Sequence, residues 1–193
     1  MKPFLAILFT TLCLSFSLNA QEHTKPKPTT PAARPTPVPT PAAVDNGGWV
    51  RFNSVAGRFS VLMPEIPQDK AETTQSDHGP YTTHLFVVRD DPNVFLIGWV
   101  DYDPSFNFNR QAELEANRDN FVKGVNATLT STRAMQIDGY QVIEFTADTA
   151  DRTFKSRVYM VGRRPYQIVI GYPKGTDEEA PVGRFFNSFK VSL

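Results

Sequence analysis

The run "VFLIGWV", residues 94–100, is apolar at every position except Gly98. A strand with one wet face alternates apolar and polar side chains, so a strand of this kind belongs at the centre of a sheet covered on both sides. It is preceded by "YTTHLFVV" and then "RDDPN", whose Asp, Pro and Asn suit a tight turn. The spacing predicts a hairpin with strands at 82–89 and 94–102.

Upstream, "WVRFN" at 49–53 reads as a short strand that turns into "GRFSVLMPEIP", residues 57–67. There Phe59, Val61 and Met63 share a face, and Pro64 and Pro67 stop further ladder donation, which predicts a loop to about Pro80. Residues 109–126, "NRQAELEANRDNFVKGVN", switch to helical spacing. Leu114, Arg118, Phe121, Val122 and Val125 form its stripe, Glu113, Glu115, Asn117 and Lys123 are expected to face water, and Gly124 weakens its end. Four more strands are expected at 129–137, 140–147, 153–161 and 166–172, separated by "DG" at 138–139, "TADR" at 149–152 and "GRRP" at 162–165. A terminal helix carries Val182, Phe185, Phe186 and Phe189 at i, i+3, i+4, i+7. Thr176 and Glu179 have capping-box spacing, although Pro181 then falls inside the helix and argues for a later start. Sequential antiparallel strands with two helices and two-sided apolar strands give an α+β expectation: an α/β/α sandwich, a central antiparallel sheet of about six strands with helices on both faces.

Ahead of these elements the chain changes character. Lys2, the apolar run Phe4 to Leu18, and "LNA" ending at Ala20 read as a secretory signal peptide, 1–20. The run is shorter than the roughly 20 residues a membrane span needs, which disfavours its retention as an anchor. Cys13, the one cysteine, lies inside it and lacks the small preceding residue of a lipidation site. Residues 21–46 hold seven of the sixteen prolines, interleaved with Thr and Ala. Such a segment cannot bury enough surface to offset its ordering entropy; it reads as a disordered or polyproline spacer, reaching about 80 Å when extended. Aromatics and period-two patterns begin after "DNGG" at 45–48, so residues 47–193 are expected to form a single domain. With 40% hydrophobic and 12% aromatic residues, the chain can build a core without disulfides.

The candidate chemistry is sparse. Net charge is zero and the charges are interspersed, which argues against nucleic acid as a partner. Loss of Cys13 with the signal removes thiol catalysis and cysteine metal sites from the mature chain. His23 falls in the spacer, and Gly79 and Pro80 break any regular spacing between His78 and His84, so a two-histidine metal site needs tertiary coincidence. Asp90 with Asp91, and Asp101 with Asp103, flank opposite ends of one predicted strand, roughly 30 Å apart, and cannot share an ion; each pair reads as turn solvation. "GxSxG", "GxGxxG", a Walker loop and "HExxH" are all missing from the sequence. Arg133, Lys155, Arg157, Arg163 and Arg164 form either a small basic patch for an acidic partner or charges that keep the sheet soluble. Tyr159, Tyr166 and Tyr172 read as sheet packing. No catalytic, cofactor-binding or metal-binding residue is assigned.

Three stretches, "WVRFNSVAGRFSVLMPEIP", "IDGYQVIEFTAD" followed by "RVYMVGRRPYQIVIGYP", and "RFFNSFKV", together spanning 49–191, resemble the PsbP-like group of small exported domains. The resemblance implies an α/β/α sandwich around an antiparallel sheet and action by binding other proteins, without a shared catalytic apparatus. No functional residue of the namesake photosystem protein carries over, and the Pro/Thr spacer departs from it. The expectation is an exported, periplasmic or extracellular, non-catalytic interaction or accessory domain whose partner is another envelope or extracellular protein, with no integral membrane segment once the signal is cleaved. The alternative is a small apolar ligand held between sheet and helix by Phe86, Phe95, Trp99, Phe121, Phe185 and Phe186; a hydrolase without recognisable motif ranks third.

Overall fold

A computed structural model of the chain describes residues 45, 47–76, 79–107 and 109–192. The expected signal segment and, apart from Asp45, the expected spacer lie outside the described residues, as does His78. The elements in order are β1 (Val50–Ser54), β2 (Phe59–Met63), β3 (Gln68–Ser76), β4 (Gly79–Asp90), β5 (Asn93–Tyr102), α1 (Arg110–Gly124), β6 (Thr128–Ile137), β7 (Tyr140–Asp148), β8 (Arg152–Val161), β9 (Arg164–Pro173), α2 (Glu179–Ser188) and β10 (Lys190–Val191).

The expected α/β/α sandwich is not what forms. The described chain is mostly β, and its main antiparallel sheet has seven strands in the order β3-β4-β5-β9-β8-β7-β6, where about six were expected. A second, three-stranded sheet has the order β1-β2-β10. The cause lies in β1 and β2, which pair with each other from Val50↔Met63 to Ser54↔Phe59, take up β10 along the far side of β2, and form no ladder with the main sheet. They become a layer upon it. One face of the main sheet is therefore covered largely by another sheet, with α2 packed against β2 and β9, and among the described residues the other face carries α1, over β7, β8 and β9.

The additional main-sheet strand is β3, which replaces the loop expected before Pro80. Its sequence, "QDKAETTQS", has almost no apolar content, so periodicity does not betray it; its pairing with β4 along its whole length defines it. The central position of β5 follows the sequence expectation. Phe95, Ile97 and Trp99 enter the core beneath the small sheet, while Leu96 enters the core beneath α1. In β2, Phe59, Val61 and Met63 are fully buried, as their alternation requires.

Both helices begin by identifiable means. The Asn109 side chain accepts from the Gln111 and Ala112 amides at 2.9 and 3.1 Å, an N-cap for α1. The Thr176–Glu179 capping box does not form: the Thr176 hydroxyl donates to the Pro173 carbonyl at 2.8 Å, and the helix starts at Glu179. Pro181 then falls in the first turn, where a missing N–H costs nothing. Phe189, expected in the helix, sits just past it in extended backbone and still reaches the core. The first described residues are fixed to α2 by the Arg184–Asp45 ion pair, with the Arg184 guanidinium 4.4 Å over the Trp49 ring.

Candidate functional site

Three charged or imidazole-bearing residues that carry no motif in sequence are brought together by the main sheet. The β4–β5 register sets His84 opposite Trp99 and Thr82 opposite Asp101, and the β5–β9 register sets Trp99 opposite Tyr166. Because side chains alternate, His84, Trp99, Asp101, Arg164 and Tyr166 share one face at one end of the sheet. The β1–β2 turn crosses them there.

The His84 ring stacks on Trp99 with centroids 4.2 Å apart and planes 5° apart, and its Nε2 lies 3.6 Å from Asp101 Oδ2. That same oxygen accepts from Trp99 Nε1 at 3.1 Å. The other carboxylate oxygen accepts from Arg164 Nε at 2.7 Å and lies 2.5 Å from Arg164 Nη2. Arg164 Nη1 donates to the Ala56 carbonyl at 3.0 Å and to the Tyr166 hydroxyl at 3.3 Å, and that hydroxyl donates to the Gly57 carbonyl at 2.7 Å. Burial raises the Tyr166 pKa above that of a free phenol, so it stays a donor. Burial alone would weaken the Arg164 cation, but its contacts with Tyr166 and Asp101 outweigh that and hold its proton more tightly.

This arrangement anchors a turn. The guanidinium is shared between a carboxylate, a phenol and a backbone carbonyl, and the His84 ring is held between the Trp99 face and the Asp101 carboxylate. At the cluster's outer rim the Asp101 side chain is 42% exposed, while the His84 ring beside it is only 17% exposed. At the β1–β2 turn, Asn53, Ser54, Val55, Arg58, Phe59 and Ser192 line an open groove of about 510 Å3, with Val55 92% exposed at its lip.

The remaining sequence candidates are dispersed. Asp90 and Asp91 are exposed at the opposite end of the β4–β5 hairpin from Asp101 and Asp103. Asp103 organises its own turn, its carboxylate accepting from the Ser105 hydroxyl and amide, bonds that hold its pKa below the usual carboxylate range. The basic residues do not converge on one patch: Arg133 and Arg157 both grip Glu144, at 3.0 and 2.7 Å, Arg163 bonds the Asp103 and Phe106 carbonyls, and Arg164 belongs to the cluster above. Lys155 lies two residues before Arg157 on the same face of β8. Tyr159, Tyr166 and Tyr172 are core residues beneath the small sheet and α2. Of the aromatic set, Phe86, Phe95, Trp99, Phe185 and Phe186 belong to that same core, packed ring on ring at 5.3 to 6.0 Å, whereas Phe121 is on the other face against Phe145 and Phe154.

A second polar group escapes the sequence reading. Glu113 and Asn117, expected to face water, are 5% and 1% exposed beneath α1. Tyr102 donates its hydroxyl to Glu113 Oε1 at 2.5 Å, and Asn117 Nδ2 donates to the same oxygen at 2.9 Å. Burial raises the Glu113 pKa despite these bonds, and burial together with the Glu113 charge raises that of Tyr102. The signal was present: Asn117 lies three residues after Leu114 and four before Phe121, in the middle of the apolar stripe. Among the described residues, no three or more His, Cys, Asp or Glu side chains gather at metal-holding distances, and no helix is long and apolar enough to cross a membrane.

No protein-family model matches the chain, and no curated protein matches it in sequence. Solved structures do match. The solution structure of cyanobacterial PsbP (CyanoP) from Synechocystis aligns over 81% of this chain and 99% of that one, at 12% identity and a TM-score of 0.53. A crystal structure from Bacteroides thetaiotaomicron aligns over 74% of this chain and 48% of that one, at 14% identity and a TM-score of 0.38. The fold is PsbP-like.

Proposed function

We propose that the protein is an exported, non-catalytic accessory domain that works by binding another envelope or extracellular protein. The observation that carries this reading is the fold, shared with cyanobacterial PsbP over nearly all of that protein's length. The side chains support it. Among the described residues, His84, Asp101 and Arg164 converge at the β1–β2 turn, where Arg164 holds the Ala56 carbonyl, and they offer a charged rim to a partner. The apolar-ligand reading loses its footing, because the aromatics that prompted it divide between two faces and pack against one another.

The test is chemical cross-linking of the tagged full chain in the envelope of the exporting organism, followed by recovery of its adducts. A partner captured in constant proportion to the bait supports the reading, and substitution of Asp101 or Val55 at the rim and lip should reduce its yield. An intact, exported chain that captures nothing beyond the tag-only control would overturn it.

A further inference from the structure

We propose that the protein self-associates through the outer edge of β6, which pairs antiparallel with the same strand of a second copy. The main sheet ends at β3 on one side and β6 on the other, and among the described residues nothing pairs with the outer side of either. The two edges are protected differently. β3 follows Pro67 and exposes Lys70 and Glu72, features that discourage strand addition. β6 exposes Thr132, Ala134 and Gln136; its one charged side chain, Arg133, is 65% exposed but paired with Glu144 of the neighbouring β7, and Arg118 of α1 donates to the Thr132 hydroxyl at 3.3 Å. The bulge between Leu129 and Ser131 disturbs only its beginning.

The register settles which backbone groups point outward. Asp138 and Gly139 close the β6–β7 hairpin, with φ of 51° and 82°, and Ile137 pairs with Tyr140 across this turn. In such a hairpin the flanking pair exchanges both hydrogen bonds, and bonded and non-bonded pairs alternate from there. Met135 and Arg133 therefore turn their N–H and C=O groups toward β7, while Gln136, Ala134 and Thr132 turn theirs away from the sheet.

Those outward residues are symmetric about Ala134. A two-fold axis there sets Ala134 against the Ala134 of the second copy and Thr132 against its Gln136, forming about six interchain backbone hydrogen bonds. Arg133 then faces Met135, so no like charges meet directly, and the half-buried Met135 and Ile137, already packed on the core, extend apolar surface across the joint. This self-complementarity, on an edge whose one exposed charge, Arg133, is paired with Glu144 of its own sheet, selects a second copy over a peptide of unrelated sequence. The proposal is separate from the accessory role: a monomeric result leaves partner binding untouched, and a partnerless result leaves the dimer untouched.

Sedimentation equilibrium of the purified full chain over a concentration series, with amide exchange on the same samples, tests it. The expected result is a mass rising toward twice the monomer value, with exchange at Thr132, Ala134 and Gln136 slowed about tenfold or more on concentration while β3 amides are unchanged. Ala134→Pro removes one outward N–H and none of the β6–β7 bonds, so it should abolish the dimer while leaving the circular dichroism intact. Gln136→Lys, which leaves the backbone alone, should weaken it. A monomeric mass at every concentration, a dimer that survives Ala134→Pro, or protection that appears on β3 would each overturn the proposal.

Discussion

The two faces of the main sheet are dry in different ways. Beneath the small sheet and α2, the core is an interlock of rings: Phe59 alone meets Phe52, Phe86, Trp99, Tyr166 and Phe189 at centroid distances of 5.7 to 6.3 Å. Its charged groups stand at the rim, each with an opposite charge beside it. Beneath α1 the core is aliphatic with fewer rings, and it encloses Glu113, Asn117, Ser156 and Gln167. There Asn117 Oδ1 and Gln167 Oε1 are buried without a hydrogen-bond partner among the described residues. A buried acceptor left in that state costs about 1–3 kcal/mol. The same sheet thus supports one face fastened by interlocking rings, with the orphaned Asn93 Oδ1 at its margin, and another that encloses a carboxylate and two orphaned amide oxygens, so the aromatic face should dominate stability and α1 should be the layer that loosens first.

The sharpest way to break this contrast is a matched pair of truncations. Phe59→Ala should cost about 4–5 kcal/mol in urea unfolding, and Phe121→Ala, whose ring partners among the described residues are Phe145 and Phe154, about 3. Equal losses would mean that the ring interlock adds nothing beyond buried area. Next in size is the rim ion pair. Asp101→Ala leaves the partly buried Arg164 without its carboxylate and should cost about 1–2 kcal/mol, less than a fully buried pair because Asp101 is 42% exposed. A double-mutant cycle with Arg164→Ala measures that coupling. Smaller again, and of opposite sign, the joint change Gln167→Met with Ser156→Ala removes an unpaired acceptor and its one bonded partner, and should stabilise by about 1 kcal/mol. On the other face Tyr166→Phe should destabilise by a similar amount, since its hydroxyl is fully used.

The sequence makes one kind of information visible and hides another. Alternation located β2, an unbroken apolar run located β5, and turn signals such as Asp138-Gly139 divided the β6 to β9 meander. Alternation missed β3, whose only obligation is to hydrogen-bond β4 and whose side chains need no apolar content. It misjudged the architecture because nothing in the composition of β1 and β2 states whether they join the main sheet or lie across it; that choice is made by Phe59, Val61 and Met63 seeking the aromatic face. The site was legible residue by residue but not as a set. His84, Asp101 and Arg164 are far apart in sequence and meet only through the β4–β5–β9 registers. Asn117 is polar, yet its place in the middle of the apolar stripe dictates its burial.

Protonation offers the finest test, because the two faces carry carboxylates with opposite signs. Glu113, under α1, has its pKa raised above the ordinary 4.5 by burial, which outweighs the bonds from Tyr102 and Asn117. The native state therefore holds this proton more tightly than the unfolded chain does. Its contribution to stability is fully present below the ordinary carboxylate value and is lost as pH rises through the raised one. Glu144, on the ring-packed face, is pushed up by burial, but the guanidinium groups of Arg157 and Arg133 outweigh this and hold it below 4.5. Its contribution is present above the ordinary value and is lost as pH falls through the lowered one. Urea unfolding as a function of pH separates them. Glu113→Gln should flatten the decline on the neutral side and leave the acid limb alone, whereas Glu144→Gln should flatten the acid limb and leave the neutral side alone. Flattening of the same limb by both variants would mean that the two carboxyls share one environment, and the distinction between the faces would fail at the point where it predicts opposite signs.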